Sequence, residues 1–297
     1  MFFKILLYLA TPISSKLVNF VQSLSDCYDD YLIKRTDPTV MNWALVSNDA
    51  LNFFIIFCYV SFVLRIGPAI MKNREAYDLR WLMVPYNAAL VIMNFYIFWE
   101  YAKVRWSGES EDTCTTLEFS DNPKTYRLAE ITWWFYLTKY IELVDTVFFV
   151  LRKKERQLSK LHIIHHSTIP IVVWSMLRSE PGGYNSFFPL ANSFVHVIMY
   201  TYYGVAAIGD HVKIHLWFKK YITMTQMLQF ILVLYYMLSR PFYGCQISYR
   251  SLCINSFIAA FFFILFCNFY IHEYWLKQQC KLAEGNPENI CEKRKCK

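Results

Sequence analysis

AEITWWFYLTKYIELVDTVFFVLRKKERQLSKLHIIHHSTIPIVVWSML, residues 129–177, decides how the chain is read. An apolar run, Ala129 to Leu151, is long enough to cross a bilayer at about 20 residues per span. A basic stretch follows, Arg152 to Lys160, and a second apolar run, Leu161 to Leu177, starts directly after it. Two spanning helices joined by a short positive loop account for that pattern. The second run opens on His162, His165 and His166, three of the seven histidines in the chain. Their i, i+3, i+4 spacing puts all three on one helix face. Such a cluster at the mouth of an apolar segment is either a metal site or an acid–base and nucleophile site.

The rest of the chain extends the same architecture. Of 297 residues, 56% are hydrophobic, 19% aromatic and only 18% charged. Soluble domains run near 45–50% apolar and about 25% charged, so the composition points to an all-α, polytopic membrane protein. Seven candidate spans follow: Leu45–Leu64, ending at Arg65-Ile66-Gly67-Pro68; Leu82–Tyr101, with Pro85 in its first turn; Ala129–Leu151; Leu161–Leu177, before Pro181-Gly182-Gly183; Phe187–Ala207; Tyr221–Leu238, before Pro241; and Leu252–Trp275. Three segments result: 1–40, luminal or interfacial; 41–275, the seven-helix body; and 276–297, a basic tail. Met1 to Val21 reads as an interfacial segment, with a cleaved signal peptide as the alternative.

Loop charge sets the orientation. Arg65, Lys72, Arg74 and Arg80 fall between the first two spans, Arg152 to Lys160 between the third and fourth, and Lys213, Lys219 and Lys220 between the fifth and sixth. With the basic tail, these all lie on one side, which the positive-inside rule makes cytosolic. The formal charge of +7 is thereby explained without nucleic acid. The N-terminus is then luminal or external and the C-terminus cytosolic. The nine cysteines show no metal-type spacing. Cys114 and Cys245 both fall on the oxidising side and are expected to pair, with Cys27 as the rival partner.

Depth then groups the polar residues. Ionisable side chains within spans are costly and are functional candidates by default. Lys139, Glu142 and Asp145 form an i, i+3 stripe. At a rise of about 1.5 Å per residue, Asp145 lies on the order of 10 Å from the cytosolic end of its span, and His196 on the order of 15 Å from that end of the fifth. Asn192, Gln226 and Gln229 lie at overlapping depths. Each Asn or Gln alone reads equally well as an interhelical hydrogen bond, and Lys139 and Glu142 could simply neutralise each other. His211, His215 and His272 fall at helix ends or in loops. The HxxHH pattern is similar to the di-iron boxes of membrane desaturases and hydroxylases, but those families use more histidines, in several boxes, than this chain has, and at least three of its seven look misplaced, which argues against a di-iron centre. A mononuclear metal on a box histidine and Asp145 is the remaining metal alternative. Without metal, imidazole serves as base, acid or acyl-accepting nucleophile near neutral pH.

At these residues the chain resembles a family. Lys139-Tyr-Ile-Glu142-Leu-Val-Asp145-Thr146 resembles the KxxExxDT motif of the ELO-type very-long-chain fatty acid elongases. Leu161-His-Ile-Ile-His-His166 is similar to their HxxHH box. Asn192-Ser-Phe-Val-His196-Val-Ile-Met199-Tyr200-Thr-Tyr202-Tyr203 resembles their NxxxHxxMYxYY motif, and Thr223-Met-Thr-Gln226-Met-Leu-Gln229 their TxxQxxQ motif. The tail Lys293-Arg-Lys295-Cys-Lys297 is similar to a dilysine ER retrieval signal.

The resemblance implies the condensing step of fatty acid elongation, in which a long-chain acyl-CoA and malonyl-CoA give 3-oxoacyl-CoA, CO2 and CoA. It implies His162, His165, His166 and His196 as catalytic, with Lys139, Glu142, Asp145, Asn192, Tyr200, Tyr203, Gln226 and Gln229 in support. A basic collar of Arg152, Lys153, Lys154, Lys219 and Lys220 would meet the CoA phosphates. The acyl tail would enter a chamber enclosed by spans two to seven. No cofactor is expected, since the CoA thioesters are substrates. The expected partners are these thioesters, membrane lipid and the reductase and dehydratase enzymes that complete the cycle, and a homo-oligomer is compatible with the reading. The endoplasmic reticulum membrane is the expected location. The competing classes are a metal-dependent membrane lipid oxidoreductase and a seven-helix receptor or transporter.

Overall fold

The computed structural model describes residues 38, 40–106, 123–180, 183–209, 218–245, 247 and 249–279. Among them every regular element is helical. The chain divides into two compact units: residues 1–78 with 99–186, and residues 79–98 with 187–297. Among the described residues, four helical stretches are long and apolar enough to cross a membrane: Asp49–Met71, Arg80–Arg105, Phe218–Tyr243 and Tyr249–Gln279. Their apolar side chains face outward in mid-helix, as at Phe57, 68% exposed, and Phe257, 70% exposed. Lipid, not water, suits such a surface. The third, fourth and fifth expected spans are also helical, but their polar stripe and histidines lower their apolar character.

In the first unit, α1 (Asp49–Ser61) passes through a π-turn (Phe62–Ile66) into α2 (Gly67–Met71). The expected stop at Arg65-Ile66-Gly67-Pro68 is therefore wrong. The Gly67 N–H reaches back to the Phe62 carbonyl, and the widened turn admits Pro68, which has no N–H of its own, in the first turn of α2. Glycine is required at 67 by close approach. A Cβ there would lie 2.7 Å from Val150 Cγ1 and 2.9 Å from the Phe62 carbonyl oxygen.

The third expected span is not continuous either. It comprises α4 (Pro123–Ile141) and α5 (Leu143–Leu151), broken at Glu142. The Asp145 N–H bonds to the Glu142 carbonyl at 3.2 Å, three residues back, a tightened turn in place of the regular four-residue step. After a short loop, α6 runs from Lys160 to Ser179. Tyr59, Val63 and Leu143 form an apolar cluster that Tyr140, Leu158 and Ile163 complete, so α1, α4, α5 and α6 share one core.

The entry to α1 is pinned through polar groups. Asn48 caps the helix by accepting from the Leu51 N–H at 2.9 Å. The indole N–H of Trp174 donates to the Val46 carbonyl at 2.9 Å, and that of Trp133 to the Ala44 carbonyl at 3.1 Å. Asn52 donates to the Leu45 and Asn48 carbonyls and accepts from the hydroxyls of Tyr136 and Tyr140. Arg178 pairs with Asp49.

α3 (Arg80–Trp106) begins in the second unit and ends in the first. It starts earlier than expected, so Pro85 falls in its second turn. Its C-terminal part is held by Arg127, 2.7 Å from Glu100, and by Tyr101, whose hydroxyl lies 2.7 Å from Thr132 Oγ1.

In the second unit, Leu90 of α3 packs with Met199, Tyr200 and Tyr202 of α7 (Phe187–Ile208) and Ile222 of α8 (Phe218–Ser239). Phe98 meets Phe194, while Asn87 lies against Gly204, so α3 and α7 run antiparallel. α8 and α9 (Tyr249–Tyr270) form a hairpin around Val233, Met237 and Ala259. A 3₁₀ turn, Arg240–Tyr243, ends α8, and Gly244 closes it at φ 80°, in the left-handed region glycine enters freely. A π-turn, Ile271–Trp275, extends α9 and contains His272.

Candidate functional site

The histidine box occupies the first two turns of α6 because Ser159 fixes where that helix starts. Ser159 Oγ accepts the His162 N–H at 3.1 Å, an N-cap that satisfies one of the free donors of the first turn. The spacing then acts as expected. The His162 and His166 ring centroids lie 4.1 Å apart, and those of His165 and His166 lie 5.3 Å apart. Phe149 of α5 packs on His162 at 5.1 Å.

The third span meets this box through Thr146, beside its polar stripe. His162 Nε2 lies 2.8 Å from Thr146 Oγ1, and Thr146 Oγ1 lies 2.8 Å from the hydroxyl of Tyr59 on α1. Thr146 is fully buried, and Asp145 beside it is 7% exposed. One turn before the helix break, Lys139 Nζ lies 2.7 Å from Glu142 Oε1, with the two side chains 2% and 1% exposed. Lys139 also sits over the Phe135 ring, 4.4 Å from its centroid. Lys139 and Glu142 thus form a buried ion pair. Thr146 stood in the sequence motif without a role, and Tyr59 was missed altogether. No local signal marks Tyr59, a lone tyrosine in an apolar helix 87 residues from its partner.

The second unit gathers the remaining motif residues. His196 of α7 is 4% exposed and Asn192, one turn earlier, 7%. The Tyr200 ring packs edge-on to His196 at 5.6 Å and to Tyr203 at 6.0 Å. Gln226 Nε2 of α8 lies 3.5 Å from Met199 Sδ, and Gln229 is buried on the same helix. The TxxQxxQ and NxxxHxxMYxYY motifs therefore touch at Gln226 and Met199.

The basic residues lie at helix ends. Arg152 is the C-cap of α5, Lys153 takes φ 52°, and Lys154 begins the exposed loop to α6. Lys219 and Lys220 lie in the first turn of α8, and Lys220 stands 5.8 Å from the centroid of Tyr270. Cys245 is buried just after the α8–α9 turn. Cys27, Cys114, His211, His215, Lys293 and Lys295 lie outside the described residues. Among the described residues, no three His, Cys, Asp or Glu side chains converge as a cradle for a metal ion.

Residues 44–282, which include all four motifs, match the family model described as ELO, GNS1/SUR4 family. The chain belongs to the ELO family. Its relatives include very long chain fatty acid elongase 1 of Mus musculus, 39% identical over 246 residues, with 82% of this chain and 88% of that protein covered. Very long chain fatty acid elongase 7 of Drosophila melanogaster is 36% identical over 258 residues, 86% of this chain and 78% of that one. Very long chain fatty acid elongase 7 of Rattus norvegicus is 36% identical over 250 residues, 83% and 88%. ELO membership gives the contact between Thr146 and His162 its meaning, since it joins two of the motifs that carry the resemblance.

Proposed function

We propose that this ELO protein is a condensing enzyme that extends long-chain acyl-CoA with malonyl-CoA, giving 3-oxoacyl-CoA, CO2 and CoA. The observation that carries the reading is the histidine box on the first turns of α6, bonded to the Asp145-Thr146 motif and backed by relatives named as very long chain fatty acid elongases. A thioester is a fitting partner for imidazole, because thiolate leaves readily and an acyl-imidazole still passes its acyl group on.

The proposed route is ping-pong. A box histidine, His165 in the first instance, attacks the acyl-CoA carbonyl. The C–N bond forms, the C–S bond breaks, and CoA leaves as thiolate and takes up a proton. Malonyl-CoA then loses CO2, and the electron pair freed passes to the α-carbon as an enolate. That carbon bonds to the acyl carbon and expels the imidazole. His196, Asn192 and Gln226 supply hydrogen bonds to the enolate or tetrahedral oxyanion, and Asp145 orients an imidazole. Arg152, Lys153, Lys154, Lys219 and Lys220 attract the anionic CoA groups on the cytosolic side.

The decisive experiment incubates pure protein with acyl-CoA alone. The ping-pong route requires CoA release and a protein mass raised by one acyl group. If neither occurs under conditions where malonyl-CoA supports turnover, the histidines act only as acids and bases. His165→Ala and His196→Ala should each abolish condensation in protein that still folds.

The same reading includes seven spans with a luminal N-terminus and cytosolic C-terminus, an acyl chamber, ER retrieval through Lys293 and Lys295, and collaboration with reductase and dehydratase enzymes. It keeps 41–275 as the catalytic body between an N-terminal segment and a basic tail. It also includes a luminal Cys114–Cys245 disulfide, which non-reducing peptide mapping would refute by finding both thiols free.

A further inference from the structure

A line of three polar groups enters the histidine box from a helix that carries none of the motifs. Tyr59 OH lies 2.8 Å from Thr146 Oγ1, which lies 2.8 Å from His162 Nε2. Each group can donate or accept along this line, so distances alone allow two directions. The burial of the donor left over selects one. Tyr59 is 7% exposed, and among the described residues Thr146 is the hydrogen-bond partner of its hydroxyl. A buried phenol O–H without an acceptor costs about 1–3 kcal/mol. Two bonds serve three protons, so one donor is left over whichever way the line runs: the phenol O–H of Tyr59, the Thr146 O–H if that hydroxyl accepts from both sides, or the Nδ1–H of His162. The first two are buried, whereas the His162 side chain is only half-buried in the first turn of α6, so the leftover donor costs least there and Tyr59 donates to Thr146. The Thr146 proton then goes to His162 Nε2, which accepts it with its lone pair, and the ring proton of neutral His162 must sit on Nδ1.

We propose that Tyr59, acting through Thr146, locks His162 as the neutral Nδ1–H tautomer, so that His162 serves as a hydrogen-bond donor through Nδ1 and not as the acyl-accepting nucleophile. Its Nε2 lone pair is committed to Thr146, which leaves acyl transfer to His165 or His166. Ring contacts with His166 at 4.1 Å and Phe149 at 5.1 Å, together with the Ser159 cap, help fix the imidazole plane in which that Nδ1–H is presented. Tyr59 and Thr146 are positioning residues. The tautomer assignment stands on the hydrogen-bond geometry together with burial, whereas the division of labour among the histidines rests on the condensing-enzyme reading.

The test is nitrogen NMR of the 297-residue chain, ¹⁵N-labelled at histidine, in lipid nanodiscs, with the His162 signals assigned by correlation to Ile163. The expected spectrum shows a protonated Nδ1 and a bare Nε2. In Tyr59→Phe and Thr146→Val the Nε2–H form should become populated, while Thr146→Ser should keep the wild-type pattern. In parallel, kcat for condensation should fall about tenfold in Tyr59→Phe and Thr146→Val, the effect of one hydrogen bond near 1.4 kcal/mol, and recover in Thr146→Ser. KM for both CoA thioesters should stay within about twofold, since no uniform binding contact is lost.

A protonated Nε2 in the wild-type spectrum overturns the proposal without need of any variant. A shifted tautomer with unchanged kcat overturns the role of His162 in turnover. A wild-type tautomer as expected, in protein that condenses no acyl-CoA of any length, instead overturns the elongase reading and leaves the tautomer assignment standing.

Discussion

The Lys139–Glu142 pair offers the clearest energetic test of the site's frame. The two charged atoms lie 2.7 Å apart, with both side chains almost wholly buried and the helix broken at the glutamate itself. Removing one partner leaves a buried charge without its closest counter-ion, which costs about 3–5 kcal/mol. Replacing both with apolar side chains of similar volume avoids that penalty and is often close to neutral. Glu142→Leu and Lys139→Met alone should therefore each lower the melting temperature by roughly 6–20 °C, at about 2–4 °C per kcal/mol for a chain of this size class. The double variant should melt nearer to wild type than either single. The assay is thermal or chemical unfolding in one detergent or nanodisc preparation, with the four proteins forming a double-mutant cycle and an expected coupling energy above about 2 kcal/mol. Simple addition of the two single effects would refute the reasoning, because it would mean that neither side chain depends on the other for its charge balance.

Other consequences follow from packing and exposure. Gly67→Ala should destabilise by about 1–3 kcal/mol through overpacking against Val150, with Val150→Ala restoring part of the loss in the same unfolding assay. Asn52→Leu should cost about 3 kcal/mol or more, since it removes at once the acceptor for Tyr136 and Tyr140 and the donor to the Leu45 and Asn48 carbonyls; a change below about 1 kcal/mol would discount that network. Trp81, 92% exposed at the start of α3, and Phe242, 90% exposed after α8, belong at opposite membrane interfaces in the seven-span topology. Cysteines placed at these two positions should label from opposite faces of sealed vesicles, and labelling of both from one face would overturn the topology.

Periodicity exposed much of the site because local spacing decides much of it. His162, His165 and His166 share a face once α6 exists, and a helix at Leu161–Leu177 was legible from its apolar run. The same holds for Asn192 and His196 on α7. What was not legible depends on departures from the 3.6-residue period. Arg65-Ile66-Gly67-Pro68 looks like a helix stop because glycine and proline usually make one, but a π-turn places Pro68 where its missing N–H does no harm. Likewise the stripe Lys139, Glu142, Asp145 assumes an unbroken helix. The break at Glu142 changes the phase of everything after it.

The residue touching His162 is Thr146, which the stripe of i, i+3 steps passes by. In a continuous helix, position 146 follows 139 by seven residues and would share the face of Lys139, while Asp145 would turn aside from it. The tightened turn between Glu142 and Asp145 rewinds α5, and His162 meets the hydroxyl of Thr146. Tyr59 can reach the same hydroxyl because its ring, with Val63 of the π-turn that follows α1, packs on Leu143. A motif of the KxxExxDT form thus combines two devices. The lysine and glutamate pair at the break, and Thr146, one turn after it, meets the histidine box. Closing the break should accordingly disturb the His162 tautomer even in a protein whose Tyr59, Thr146 and His162 are all intact.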